Sequence, residues 1–516
     1  MQSLTQKIEQ YPISKLSLMI VMLAMLIAAQ MQYIQHGWIN PDSVLYFESA
    51  RLFSAGQWKE ALQVWNWPLY PLLISAVHKA TSMEIQRSAQ VLNVLFFGLS
   101  AYSFIHIIRL AGGTQLTVAT GALILFSSQY IVGDVLEMLM RDEGFWAFYL
   151  TGIVFFIRFY QRLRFQDALL WQLCAIIATL FRIEAITYLV LLPTLFLFSS
   201  NANFKTRIRY FLTAHSLNIF LTVALTTAVA IHGELSMKNF GRLQEVFTLN
   251  IYHELTRKLL SHAAIMSNDV LGKYLEEFAV QGLLLTFTYV MIVKAISTTG
   301  LVNFVMAMFT IKNRAALLES KAFLVLMAVG IISVVNMALI ITKVFVLSSR
   351  YVVGLAFVLM IFAAFQFAKV LVHNNQVNGK KHKWLTIALV IFMLLSLIKN
   401  ILPKAVGYNY QQDAIAWVGK HHTKNESIFI DDSRLRYYAR QPFRAQQSNF
   451  SELENCYRDR SIYQYSILVI SSTKKNKKSE FFVNNKLPEY REISRFSNKK
   501  RDKHIIIYRN VSSIKQ

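Results

Sequence analysis

The chain has 516 residues, of which 54% are hydrophobic and only 16% charged. Soluble proteins carry about 25% charged residues, so this balance excludes an ordinary soluble domain and points to a lipid-facing surface. The formal charge of +24 does not imply nucleic acid, since much of it lies in short basic loops between apolar runs, where it fixes topology.

An apolar stretch of about 20 residues spans the hydrocarbon core, because its backbone groups must bond within the segment. Such stretches recur over the first 400 residues, near 17–35, 86–108, 114–132, 143–160, 168–181, 185–200, 211–231, 280–297, 322–342, 351–371 and 384–402. The first lacks a small-residue cleavage site and reads as a retained span. The fold class is therefore a polytopic α-helical membrane protein of about eleven spans, ending in a small α/β extramembrane domain. The short run 298–311 reads as a re-entrant or interfacial helix.

Four basic loops set the orientation: Arg158, Arg162 and Arg164; Lys205, Arg207 and Arg209; Lys312, Arg314 and Lys321; and Lys380, Lys381 and Lys383. All fall on the side of the N-terminus, which the positive-inside rule places in the cytoplasm. With eleven spans the C-terminal domain, 403–516, is then outside an inner or plasma membrane. The domain within the membrane is 1–402, with two large outer loops, 36–85 and 232–279.

The first outer loop opens Asn40-Pro41-Asp42-Ser43-Val44-Leu45-Tyr46 and returns through Trp67-Pro68-Leu69-Tyr70-Pro71. Pro41 and Asp42 are helix-start residues and Gly56 a stop, which predicts a short helix between them. Trp38, Trp58, Trp65 and Trp67 suit the membrane interface. Asp42 is either a helix cap or a general base at the membrane surface. Arg141-Asp142-Glu143 likewise reads as a helix N-terminus or as a second carboxylate facing Asp42 across a shared cavity.

Arg182-Ile183-Glu184 lies between two apolar segments. Charges at such depth face the protein interior or a wet cavity, here as a structural pair or a working one. Arg350-Tyr351 opens the tenth span, and its guanidinium either snorkels or grips a phosphate through parallel hydrogen bonds. The second outer loop, with Glu254, Arg257 and Lys258 among apolar residues at helical spacing, reads as interfacial amphipathic helices or a solvated hairpin. In the tail, helices are expected at 413–420 and 434–440 and strands at 427–430, 463–470 and 504–508. Asp431-Asp432 at a strand end is either a binding site or a solvated turn. Lys474, Lys475, Lys477 and Lys478 face anionic headgroups or a phosphorylated substrate. Cys174 and Cys456 are not expected to pair.

The ordered set resembles the membrane glycosyltransferases of the GT-C fold, in the branch of the protein O-mannosyltransferases and the lipid A aminoarabinose transferase. The matching elements are the acidic opening of the first outer loop at Asp42, the returning Trp67–Pro71 stretch, Arg141-Asp142-Glu143, Arg182-Ile183-Glu184 and Arg350-Tyr351. The first motif departs from the family in having one aspartate rather than an acidic pair, and the tail lacks the Trp-Trp-Asp-Tyr-Gly signature of oligosaccharyltransferases.

The resemblance implies inverting transfer of a sugar from a polyprenyl-phosphate donor to a lipid, glycan or protein acceptor. Asp42 and Asp142 are then catalytic, and Arg182, Arg350 and Tyr351 bind the donor phosphate. Glu143, Glu184, Tyr46 and Tyr70 support the acceptor side. No cofactor is implied beyond a divalent metal as an option, nor any nucleic-acid partner. The alternative is a lipid or solute transporter, though neither internal repeats nor midplane charges appear.

Overall fold

The computed structural model describes all residues except 1, 35–38, 199–202, 233–250, 273, 314–317, 377–379, 403–408, 423–425, 444–448 and 512–516. Trp38, Arg314 and the first half of the second outer loop thus lie outside the described residues. The chain divides into two compact units: 1–30 with 89–137 and 141–401, and 31–88 with 138–140 and 402–516.

The first unit is a helical bundle. Among the described residues five helices are long and apolar enough to cross a membrane, or up to seven if each of two bent pairs is one span. Leu18, Leu285, Ile331 and Phe392 lie exposed on its apolar helices, as a surface solvated by lipid tails requires. The chain is an integral membrane protein. Each expected span falls on a helix, but several are short or broken. The fifth and sixth become Phe165–Phe181 and an irregular helical run over Ile183–Phe198. The seventh is bent by 61° between Phe204–Ala214 and the helix that begins at Ser216. The 298–311 run is a helix of 12 residues, Leu301–Lys312.

Ser349–Gln376 packs against Gln115–Ser127, Ala279–Thr299, Leu301–Lys312 and Ser320–Val344. Three hydroxyls reach its backbone: Tyr149 Oη donates to the Gly354 carbonyl at 3.2 Å, Thr120 Oγ1 to the Ala364 carbonyl at 3.1 Å, and Thr310 Oγ1 to the Phe362 carbonyl at 2.6 Å. Such bonds hold helices together where the lipid supplies no hydrophobic drive between them.

The second unit joins residues 31–88 to the C-terminal domain. Pro41–Ser54 is the expected helix, closed at Gly56 with φ +77°. Its cap is Asn40, not Asp42: the Asn40 Oδ1 accepts the Asp42 N–H at 3.0 Å, and Pro41 needs no partner as the first helical residue. Trp58–Val64 and Leu69–Thr81 follow. The segment meets the tail domain where Ile39 N donates to Tyr438 Oη at 3.0 Å and Phe47 packs against Tyr437.

The tail holds a four-stranded sheet ordered β1-β2-β4-β3, with β1 Ile428–Ile430, β2 Ile467–Thr473, β3 Tyr490–Ser497 and β4 Lys503–Asn510. β1 runs parallel to β2 and the other pairs are antiparallel. Alternation buries both faces. Phe429, Leu468, Ile470 and Ile506 pack with Leu453 and Val483, and Ile430, Val469, Ile505 and Ile507 with Tyr410, Ala414 and Leu435.

Asp431 and Asp432 are not a solvated turn. Asp432 caps the helix Ser433–Tyr438, and Asp431 is buried, accepting the Ser471 N–H at 2.9 Å. Burial, reinforced by the neighbouring Asp432, pushes Asp431 up to about 8. An ordinary aspartate titrates near 4. The stability its protonated form contributes is therefore complete below about pH 4 and is lost as pH rises through 8. Hydrogen exchange of β2 in the full chain should accelerate between pH 5 and 8, after correction for intrinsic rates, and Asp431→Asn should flatten that trend.

Candidate active site

Three sequence motifs of the first unit meet at the ends of helices. Asp142 opens the helix Asp142–Arg162, where the N-terminal dipole favours a carboxylate. Arg182 follows Phe165–Phe181, its backbone extended at φ −146° and ψ 121° while its N–H still bonds the Ala178 carbonyl at 2.8 Å. The 3-10 turn Ile183–Ala185 then carries Glu184. Arg350 and Tyr351 open Ser349–Gln376.

Both arginines converge on one carboxylate. Arg182 Nη1 donates to Asp142 Oδ1, and Arg350 Nη2 donates to Asp142 Oδ2 at 3.2 Å. The opposite edge of Arg182 reaches both oxygens of Glu184 at 3.4 Å. Its guanidinium carbon lies 4.9 Å from the Tyr351 ring centroid and 5.7 Å from that of Phe145, a cation–π sandwich that tolerates burial of the charge. Asn336 Nδ2 holds the Glu184 carbonyl at 3.2 Å.

Exposure separates the members. Arg182 and Asp142 are 3% and 2% exposed, so they form a closed inner pair. Arg350 at 28% and Glu184 at 23% are the members a ligand can touch. The four side chains balance in formal charge, which is how such a cluster persists in low dielectric. Arg350 gives one N–H to Asp142 and has further donors in its guanidinium fork with which to meet an arriving anion.

Glu143 is fully buried, with the Asn93 amide beside it. Gly144 explains the close approach of the two helices. A Cβ there would overlap the Phe181 ring, directly before Arg182. Gly144→Ala should cost about 1–3 kcal/mol by overpacking and loosen the Asp142–Arg182 pair, read as a lowered thermal midpoint with reduced activity.

Asp42, Tyr46 and Tyr70 belong to the second unit. Tyr46 and Tyr70 are buried and stack edge to face with centroids 5.3 Å apart, while Trp65 takes the other side of Tyr46 at 5.0 Å. Ser43 Oγ donates to the Leu139 carbonyl at 2.7 Å. The Asp42 carboxylate is half-buried and, among the described residues, makes no hydrogen bond or ion pair. On the other face of its helix a cleft of about 940 Å³ opens towards the tail domain, lined by Phe47, Glu48, Arg51, Tyr437, Arg440 and Phe443.

Asn336 and Asn93 were missed in the sequence reading, though polar residues inside apolar helices were a signal available there. Among the described residues no three His, Cys, Asp or Glu side chains gather as metal ligands. Asp142, held on both oxygens by guanidinium groups, does not fit a divalent cation as a further partner.

No family model and no curated protein matches the chain. Among solved structures, it is similar to the archaeal oligosaccharyltransferase AglB from Archaeoglobus fulgidus, in complex with an inhibitory peptide and a dolichol-phosphate. That likeness has a TM-score of 0.48 at 12% identity, covering 90% of this chain and 70% of the other.

Proposed function

We propose that the protein is a membrane glycosyltransferase that takes a sugar from a polyprenyl-phosphate donor and passes it, with inversion, to an acceptor on the outer face. The observation that carries this reading is the convergence of Arg182 and Arg350 on Asp142 at the helix ends, with Arg350 left partly open. Polyprenyl phosphate leaves only if the charge growing on its phosphate is stabilised, and a preorganised guanidinium supplies that. A polyprenyl tail would be solvated by the same lipid that surrounds the apolar helices. The order of the sequence motifs, which resembles the GT-C transferases, supports the same chemistry.

In this reaction the acceptor hydroxyl gives its proton to Asp42, and its oxygen forms a bond to the anomeric carbon. The bond from that carbon to the phosphate oxygen breaks, and its electron pair stays on the phosphate, where Arg350 meets it. Arg182 fixes Asp142 and Tyr351 rather than touching the phosphate first, because it is the closed member of the cluster. Tyr46 and Tyr70 shape the segment that carries Asp42.

The test is release of polyprenyl phosphate from a panel of polyprenyl-phosphate sugars, with membrane extract as acceptor. The wild type should release it, and Arg350→Gln should release it about 10²–10³-fold more slowly, with a thermal midpoint lowered less than that of Asp142→Asn because Arg350 is the partly exposed partner. Flux of lipid or solute through proteoliposomes, with no release from any donor, would replace this reading by transport.

A further inference from the structure

Two separate stretches of the tail bring their charges to one end of the sheet. The turn after β2 carries Lys474, Lys475 and Lys477, all exposed, and the β3–β4 hairpin carries Lys499, Lys500 and Arg501, also exposed. The turns are joined directly, Lys474 N donating to the Asp502 carbonyl at 2.8 Å. Asp502 is the single acid within them, and its carboxylate is held by Asn498 Nδ2 at 2.6 Å. The hairpin is firmly shaped, since Asn498 Oδ1 also accepts the N–H groups of Asp502 and Lys503.

An exposed aromatic borders this basic end. The helix Lys478–Lys486 begins beside the first turn, and Phe481 on it is 71% exposed. Phe482, the next residue, packs inward against Phe450 and Tyr457. Lys478 and Phe481 are three residues apart and so share a helix face. A cationic rim with an aromatic at its margin is the pairing that binds an anionic interface, with lysines at the phosphates and the ring at the acyl boundary.

We infer that the 474–478 turn and the 498–503 hairpin, together with Phe481, form a docking surface for the anionic lipid headgroups of a bilayer. Charge complementarity selects the occupant, and the apolar ring selects a lipid surface over a dissolved polyanion. The inference is independent of the transferase reading, because it concerns neither Asp42 nor the arginine cluster.

The experiment is hydrogen exchange on the full chain in nanodiscs of phosphatidylcholine alone or in equal parts with phosphatidylglycerol. Anionic discs should slow exchange several-fold in 474–481 and 498–503, leaving β2 unchanged. High salt should abolish the difference, since about 1 M salt shortens screening to about 3 Å. Lys475→Glu with Lys500→Glu should weaken it, and Phe481→Ser should reduce it with the charges intact. Equal exchange in both discs would overturn the inference. So would protection in phosphatidylcholine discs by added dextran sulfate that matches or exceeds that of the anionic lipid, which would assign the surface to a soluble polyanion.

Discussion

Asp42→Asn should reduce turnover by about 10²–10⁴-fold, the usual contribution of a positioned general base, while the protein folds and binds donor as before. Fold and function separate cleanly at this residue because its carboxylate has no partner among the described residues. The cap of its helix is the Asn40 side chain, so the substitution keeps the cap and loses only the favourable charge in the first turn, at most about 1 kcal/mol. Asn is nearly isosteric and cannot take a proton. The measurement is single-turnover release of polyprenyl phosphate beside a melting curve. Release at the wild-type rate by Asp42→Asn would remove Asp42 as the base. A melting point far below that of the wild type would show that the carboxylate is structural.

Asp142→Asn should behave in the opposite way, destabilising the first unit by about 3–5 kcal/mol. Asp142 compensates two guanidinium groups, one of them closed to solvent, and breaking a buried pair leaves an unpaired charge that low dielectric penalises heavily. Asn can accept one hydrogen bond where the carboxylate accepts on both oxygens, and it brings no charge. Arg182→Gln alone should cost a similar amount, since it leaves Asp142 and Glu184 facing each other without the intervening cation. The double variant should cost less than the sum of the two, as coupled partners do. Additive losses would mean that the pair contributes nothing beyond its separate members.

The motifs of the site were legible in the sequence because charges within or beside apolar runs stand out against a lipid-facing background. Asp142, Arg182, Glu184, Arg350 and Tyr351 could each be picked by that contrast. Their pairing was not legible, because it depends on how helix ends are stacked. Nothing local to residue 142 says that its two oxygens will be taken by residues 40 and 208 positions away. The Asp42 helix was readable from Pro41 and Gly56, yet the cap shifted to Asn40, which sits one step before the proline that starts the first turn.

The tail shows the same limit in another form. β1, β2 and β4 carry apolar residues on both faces and stand out as runs of Ile, Leu, Val and Phe. β3 was not foreseen, since Arg491, Glu492 and Arg495 interrupt it. It is an edge strand, and charged side chains are what keep an edge from pairing with another chain. The span boundaries suffered where hydropathy alone was followed, because a run such as Ile183–Phe198 is apolar throughout while its backbone passes between helical forms.

Ser349–Gln376 is fastened at Gly354, Phe362 and Ala364 by hydroxyls from three different neighbours. Those fixings lie 4, 12 and 14 residues beyond Arg350, which a helical rise of about 1.5 Å per residue turns into roughly 6–21 Å. The helix therefore cannot slide or turn about its axis without tearing all three contacts at once. The height of the Arg350 guanidinium is thereby set by the bundle, like the tip of a rod clamped along its length. Adjustment to a bound phosphate is left to the side chain's own torsions, which reset in nanoseconds and ask nothing of the helices around it.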